Sequence, residues 1–189
     1  MITLWNSWVR PVLDYCSPIW SPRKWNYKEI DFLEETQRTF TRQINGMEDF
    51  DYAQRLKALK LYSIQRRQER YKIIYTYKIK EKLVSNISED YGLQFFCSKR
   101  HGYRCKIPTY PLHHNKAGRA REDSFTLTAC NLWNAMPKYV RNISGKSVDH
   151  FKRRLDGILL SYPDIPRCSA TGSIKDTHGR NSNSLVDIY

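Results

Sequence analysis

The sequence predicts a mainly α-helical protein, with a helical bundle, a second small helical region, a possible short β-hairpin and a disordered C-terminal tail. Three observations support this fold class. Apolar side chains recur at steps of three and four between residues 26 and 45, residues that cap helices precede several such runs, and glycine and proline interrupt the periodicity between 85 and 120. A chain of 189 residues suffices for one medium domain or two small ones.

The first 22 residues combine prolines with an unusual density of aromatic side chains. The residue before a proline disfavours the α region, so Pro11, Pro18 and Pro22 predict a short helix followed by an irregular stretch. This segment is too apolar to stand alone in water, and we expect it to cover a partner surface. Asn26 and Glu29 then have the spacing of a capping box. The sequence predicts a helix over 26–45.

Two further caps complete the first helical region. Asp51 is expected to begin a second helix, and Ser63 a third that runs to about Val84. In the third helix, Arg66, Arg70, Ile73, Tyr77 and Lys80 share one face, a mixture of cations and aromatics typical either of packing between neighbours or of contact with a ligand. We assign residues 1–84 to one helical bundle.

The remaining chain divides into three parts. Residues 85–120 are predicted to form an irregular linker or hairpin, because Tyr103 and Cys105 begin a strand-like alternation. Over 121–162 we expect two helices, one begun by Asp123 or Ser124 and ended by Pro137, the other begun by Ser147. Residues 163–189 contain too few apolar groups to offset their ordering entropy, and we predict a disordered tail.

Composition limits the functional classes. The mean hydropathy of −0.69 and the lack of an apolar run near 20 residues argue against a membrane protein, and the first residues do not resemble a secretory signal. Five scattered cysteines are expected to be reduced thiols. The sequence therefore predicts an intracellular protein of the nucleus or cytoplasm, with no membrane partner.

The net charge of +13 is concentrated in the middle of the chain. Residues 51–100 contain 12 basic and 5 acidic side chains, which favours a polyanionic partner such as nucleic acid over a merely solvated basic face. Cations would hold phosphates and tyrosines would add stacking. The predicted nucleic-acid-binding residues are Arg66, Arg67, Arg70, Lys72, Lys78, Lys80, Lys82, Tyr71, Tyr75 and Tyr77.

No catalytic constellation stands out. The acidic pairs Glu34/Glu35, Glu48/Asp49, Glu89/Asp90 and Glu122/Asp123 fall at helix or loop positions where carboxylates serve as caps. Cys97, Cys105, His113 and His114 are zinc-ligand types, but seven intervening residues do not give the usual geometry. No phosphate-binding glycine loop occurs. We predict a binding module with no catalytic residue, metal or cofactor of its own, the alternative being a small enzyme with an unrecognised site.

Five strings, in order, resemble the region that follows the polymerase core in reverse transcriptases of non-LTR retrotransposons, of the jockey and chicken-repeat type. The first is the Trp-Val-Arg-Pro-Val-Leu-Asp-Tyr-Cys-Ser-Pro-Ile-Trp-Ser-Pro segment at 8–22. Similar strings follow at 30–46 and 52–78, then Trp-Asn-Ala-Met-Pro at 133–137 and Phe-Lys-Arg-Arg-Leu-Asp at 151–156. The resemblance covers roughly residues 2–167.

The resemblance implies that the chain is the thumb and post-thumb part of an RNA-directed DNA polymerase that needs magnesium. The family's Phe/Tyr-x-Asp-Asp turn does not occur here, so we expect no catalysis from this chain, which looks like a truncated copy or partial reading frame. Its implied partners are template–primer RNA and DNA, held by a thumb-like bundle, and the remainder of the reverse transcriptase. The predicted palm-packing residues are Trp5, Trp8, Tyr15 and Trp20. The alternative is a helical protein-interaction module derived from a mobile element and without nucleic-acid function.

Overall fold

The computed structural model of the protein describes residues 1–21, 27–85, 92–108, 124–166 and 184–185, and it is mainly helical within them, as predicted. The chain forms two compact units. Unit 1 contains the described residues of 1–69 together with 163–166 and 184–185, and unit 2 contains those of 70–162. The predicted cap Asn26, two of the four acidic pairs and most of the predicted tail lie outside the described residues.

Unit 1 begins with a continuous helical segment. Helix α1 spans Ile2–Leu4, a π-helical turn spans Trp5–Val9, and α2 spans Arg10–Asp14, with Pro11 near its start. Proline is accepted there because the first N–H groups of a helix have no intrahelical partner. Cys16 adopts a left-handed conformation, with φ of 52°, and separates α2 from α3 (Ser17–Trp20).

Helices α4 (Tyr27–Arg42) and α5 (Tyr52–Ala58) pack together in unit 1. The predicted Asp51 cap is confirmed, since its carboxylate accepts from the Gln54 N–H at 2.8 Å and the Gln54 side chain accepts from the Asp51 N–H at 2.9 Å. The buried face of α4 is largely polar. Its fully buried members are Glu34, Gln37, Arg38 and Thr41.

Helix α6 (Ile64–Lys80) begins in unit 1 and continues in unit 2. The predicted cap is confirmed, because the Ser63 hydroxyl accepts from the Arg66 N–H at 3.0 Å. The helix ends four residues before the predicted Val84. Lys82 takes a left-handed conformation, and the Leu83 N–H donates to the Lys78 carbonyl at 2.8 Å, which closes the helix end with a Schellman motif.

Unit 2 adds the predicted hairpin and three helices to the later turns of α6. Strands β1 (Phe95–Ser98) and β2 (Gly102–Cys105) are antiparallel, and they are followed by α7 (Phe125–Ala135), α8 (Lys138–Arg141) and α9 (Val148–Leu159). Ser124 and Ser147 cap α7 and α9 as predicted.

Aromatic rings form the centre of unit 2. Tyr77 of α6 stacks on Phe151 of α9 with ring centroids 4.0 Å apart, and Trp133 of α7 lies 6.1 Å from Phe151. Phe95 of the hairpin meets Trp133 edge-on at 5.9 Å. These contacts join the hairpin, α6, α7 and α9 in one core. Among the described residues, no helix has the length and apolar character needed to cross a membrane.

Candidate nucleic-acid interface

The structure places the first two predicted phosphate-binding residues in the interior of unit 1. Arg66 is fully buried, and its Nη2 donates to the Pro163 carbonyl at 3.0 Å. Arg67 donates to Gln37 Oε1 at 3.1 Å and pairs with Asp14 at 3.4 Å. A buried guanidinium held by protein acceptors cannot also hold a phosphate, so the prediction that these two arginines face nucleic acid is wrong.

Arg70 and Lys80, in unit 2, are also committed to protein acceptors. Arg70 forms a two-pronged ion pair with Asp156 of α9, at 2.5 and 2.8 Å. Lys80 Nζ donates to Glu81 at 2.6 Å and to the Ile143 carbonyl at 3.0 Å. Burial would raise the pKa of Glu81, but hydrogen bonds from Lys80, the Gly145 N–H and Ser144 outweigh it and hold that pKa below its ordinary value. Both cations stabilise unit 2 in place of the ligand contact predicted for them.

The tyrosines predicted to bind nucleic acid differ in how deeply they are buried. Tyr77 is fully buried, and its hydroxyl donates to the Lys146 carbonyl at 2.8 Å, so its predicted stacking on a nucleotide is wrong. Tyr71 is half-buried beside Arg70. Tyr75 is partly exposed and meets Phe125 edge-on at 5.6 Å. The predicted cations Lys72 and Lys78 are half-buried and Lys82 is exposed, and their role stays a prediction.

The predicted palm-packing residues also differ in exposure, since one is buried and three are exposed. Trp5 is only 2% exposed and stacks on Phe40 of α4 at 4.5 Å, so it belongs to the core of unit 1 and not to an external surface. Trp8 is 75% exposed, and Tyr15 and Trp20 are exposed as well. Within the π-helical turn, the Trp5 side chain therefore lies in the core and the Trp8 side chain lies at the surface.

The two units differ strongly in charge. The described residues of unit 2 include fifteen Lys and Arg but only three Asp and Glu, whereas unit 1 is nearly balanced. Each of those three carboxylates, Glu81, Asp149 and Asp156, already has a cation within 2.9 Å. The basic excess of unit 2 therefore has no carboxylates left within its described residues to neutralise it.

The stretch of the hairpin, 92–108, carries four of these fifteen cations, and side chains from other elements hold it in place. Asn134 of α7 pairs with the backbone of Cys105, accepting from its N–H at 2.9 Å and donating to its carbonyl at 2.8 Å. The Tyr103 N–H donates to Asn142 Oδ1 at 3.0 Å, and Arg141 donates to the Tyr103 carbonyl at 2.8 Å. These side chains satisfy the free edge of β2 as a third strand would.

The turn of the hairpin requires glycine. Three residues, 99–101, join the strands, and Gly102 follows with φ of +68°. A Cβ at Gly102 would lie 2.1 Å from Asn142 Oδ1. The close approach of the turn to Asn142 therefore depends on the missing side chain.

The cations of the hairpin region project from this framework. Lys138 Nζ donates to the Lys99 carbonyl at 3.1 Å, which ties α8 to the turn. Burial lowers the pKa of Arg141, and the neighbouring positive charge of Arg104 lowers it further. The described stretch 92–108 contains no Asp or Glu. The basic hairpin surface, as we define it, consists of Lys99, Arg100, Arg104, Lys106 and Lys138.

The sequence predicts the basic partner surface on α6 and does not single out the hairpin, where Lys99, Arg100 and Lys106 are exposed. A signal was present, since the stretch from 92 to 108 carries four Lys and Arg without an acidic residue, next to two phenylalanines. The total charge of residues 51–100 is larger, but Arg55, Arg66 and Arg67 within that stretch are buried.

The structure gives no support for a metal centre in its described part. No group of three or more His, Cys, Asp or Glu side chains is placed there to hold a metal ion. Of the zinc-ligand types considered, Cys97 is exposed and Cys105 is buried with its sulfur 2.6 Å from that of Cys130, while His113 and His114 lie outside the described residues.

Comparison with protein-family models, curated proteins and solved structures finds no match to this chain.

Proposed function

We propose that the protein binds nucleic acid through the basic surface of unit 2, and that it is the thumb and post-thumb part of a reverse transcriptase without catalysis of its own. The resemblance in the sequence supports the parentage. The single observation that carries the binding proposal is the charge of unit 2. Its described residues include fifteen Lys and Arg but three Asp and Glu, and each of those three carboxylates already pairs with a cation. The proposed contacts belong to the basic hairpin surface and not to the interior arginines of α6.

Phosphate contacts of this kind are largely independent of base sequence. Flexible lysines and an arginine at the turn neutralise successive phosphates and release condensed counterions, so affinity falls steeply with added salt. The well-supported hairpin limits the entropy lost on binding, because only the ends of the side chains need to become ordered. We expect binding to single strands, RNA–DNA hybrids and duplexes, with different affinities.

The test measures the anisotropy of labelled oligonucleotides with the full chain between about 50 and 200 mM salt. Each phosphate neutralised on a single strand contributes about 0.7 to the slope of log K against log salt. Replacing Lys99 and Arg100 with glutamine should therefore flatten the slope by about 1.4 and weaken binding at 0.1 M salt by roughly 20-fold.

A matched double variant is available in unit 1. Lys57 and Lys60 are exposed, as Lys99 and Arg100 are, and their replacement by glutamine removes the same total charge. Equal losses in both double variants would mean that only net charge matters, which contradicts a hairpin surface. An affinity that does not change with salt would overturn nucleic-acid binding itself.

An apolar surface in unit 1 favours a second candidate function, protein interaction. Leu4, Trp8 and Val12 recur at steps of four along the continuous helical segment and are exposed, and Tyr15 and Ile19, which follow the end of α2, are exposed as well. We call these five exposed residues the apolar stripe. Burial of this stripe against the remainder of the parent polymerase, or another protein, would remove it from water.

This candidate predicts a complex that persists in high salt and dissociates on substitution of the stripe. Trp8→Ser with Val12→Ser changes exposed positions only, so the fold should remain intact. Trp5→Ser is unsuitable, because Trp5 belongs to the core of unit 1. Nucleic-acid binding that survives the double substitution, together with the loss of a protein complex, would assign the two activities to separate units.

A further inference from the structure

The outward face of the hairpin carries an aromatic ring beside a cation. Phe96 of β1 stands directly opposite Arg104 of β2 in the antiparallel register, and residues opposite each other in such a pair are about 5 Å apart. Phe96 remains 48% exposed. The preceding ring, Phe95, points to the other face and contacts Trp133. Two adjacent phenylalanines thus serve different surfaces.

Contacts of the inner face and of the β2 edge hold the hairpin backbone in place, so the side chains of the outer face are positioned before a ligand binds. Phe95 and Cys105 lie on the inner face, and Cys105 is buried against Cys130. The amide of Asn134 fixes the backbone of the same residue. An exposed ring on a supported strand loses little conformational freedom when it contacts a ligand.

The surroundings of Phe96 suit an anionic ligand with a flat apolar part. Lys99 and Arg100 at the turn and Lys106 beyond β2 are exposed, and the described hairpin contains no carboxylate. A nucleotide meets both requirements, because its base stacks on an aromatic ring while its phosphate pairs with a cation.

We infer that Phe96 stacks on an unpaired nucleobase while Arg104 contacts the adjoining phosphate, so that unit 2 prefers single-stranded nucleic acid. This inference rests on the proposed nucleic-acid binding and names the form of the ligand. A paired base within a duplex is already stacked on both faces and offers Phe96 no free π surface. A duplex would contact the lysines and arginines alone and leave the ring in water.

The experiment compares Phe96→Ala with Phe50→Ala in the full chain. Phe50 is a matched control because it is 44% exposed and lies in unit 1. The probes are a single-stranded oligonucleotide that contains 2-aminopurine and a fully paired RNA–DNA hybrid. Stacking on Phe96 should change the 2-aminopurine fluorescence, and Phe96→Ala should weaken single-strand binding by at least about 5-fold. Hybrid binding and both salt slopes should stay unchanged, because no charge is removed.

Two further variants test the contact itself. Phe96→Tyr keeps the ring and should bind like the wild type, whereas Phe96→Leu keeps apolar bulk and should weaken binding as alanine does. Wild-type binding by the leucine variant would overturn stacking. Equal losses for single strand and hybrid would overturn the preference for unpaired bases.

Different results would contradict the proposed nucleic-acid binding and the stacking of Phe96. If no probe binds with a salt dependence, the proposed function is wrong and this inference falls with it. If both probes bind and weaken with salt, but Phe96→Ala matches Phe50→Ala and leaves the 2-aminopurine signal as in the wild type, nucleic-acid binding stands and the stacking role of Phe96 is wrong.

Discussion

Replacement of Gly102 by alanine tests the hairpin framework most directly, because the chain contains a matched glycine. Gly102 and Gly145 have nearly the same backbone conformation, with φ of +68° and +65°. A Cβ at Gly102 would lie 2.1 Å from Asn142 Oδ1 and 2.8 Å from its Cγ, whereas a Cβ at Gly145 would meet nothing within 4 Å. Comparison of the two alanine variants therefore separates the cost of the steric clash with Asn142 from the cost of the left-handed backbone.

The expected losses of unfolding free energy follow from these contacts. Left-handed backbone costs an alanine about 1 kcal/mol or somewhat more, and both variants incur that cost. In Gly102→Ala, Asn142 must also move and lose its hydrogen bond from the Tyr103 N–H, which adds about 1–2 kcal/mol. We expect unfolding free energies lower by about 1 kcal/mol for Gly145→Ala and about 2–3 kcal/mol for Gly102→Ala.

Urea denaturation followed by circular dichroism measures these differences. For a chain of this length, the larger loss should lower Tm by roughly 4–12 °C. Nucleic-acid affinity should fall in Gly102→Ala at temperatures where the variant is still folded, because the turn that carries Lys99 and Arg100 is displaced. Equal destabilisation in the two variants would refute the close approach of the turn to Asn142.

Three other predictions concern buried polar groups. Burial raises the pKa of Glu34 to about 7, above its unfolded value of 4.5, so this group favours the folded state at low pH and loses about 3 kcal/mol of that advantage as the pH rises from 4 to 8. Glu34→Gln should remove this slope in urea titrations. Asp156→Asn removes the charge that pairs with the largely buried Arg70 and should lower stability by about 1–2 kcal/mol in the same assay. Brief alkylation followed by mass spectrometry should label Cys97 before Cys105, because Cys130 and burial raise the pKa of the Cys105 thiol.

Each of the three has an outcome that contradicts it. An unchanged pH slope in Glu34→Gln would mean that folding does not raise the pKa of Glu34. Asp149→Asn is the control for Asp156, since Asp149 is fully exposed and pairs with Lys152, and it should have the smaller effect. Equally rapid labelling of Cys97 and Cys105 would contradict the packing of the hairpin on α7.

The sequence predicted helix beginnings well, because capping is a local interaction. Asp51, Ser63 and Ser147 each cap a helix through an acceptor side chain and an N–H three residues later, which is visible as a short pattern. Helix ends were harder. Lys60 and Lys82 adopt the left-handed conformation at which glycine is expected, so α6 was predicted to run too far.

The roles of the α6 cations could not be predicted, because their partners are distant in sequence. Arg67 pairs with Asp14, 53 residues away, and Arg70 with Asp156, 86 residues away. Local periodicity correctly groups Arg66, Arg70, Ile73 and Tyr77 on one face but does not say whether that face is inside. Long aliphatic stems allow arginine to lie in a core when its head group finds acceptors.

The network around Glu34 illustrates why unit 1 buries such groups together. The Glu34 carboxylate accepts from the Tyr52 hydroxyl at 2.5 Å and from the Ile64 N–H at 3.0 Å, and Gln37 joins the same cluster through Tyr52. A carboxylate at the first turn of α6 satisfies an N–H that has no partner within the helix. Removal of one member would leave another buried and unsatisfied, so the cluster favours one arrangement of α4, α5 and the first turn of α6.

The hairpin differs from α6 in the acceptors that surround its cations. On α6, protein carbonyls and carboxylates reach each of the arginines and neutralise or bury them. In the hairpin, the acceptors on the β2 edge are already used, since Asn134 and Arg141 bond the carbonyls of Cys105 and Tyr103. Lys99 and Arg100 lie at a turn whose described stretch lacks carboxylates. Under the proposed function, a phosphate chain that displaces the ions around these cations would gain the release of those ions as binding free energy.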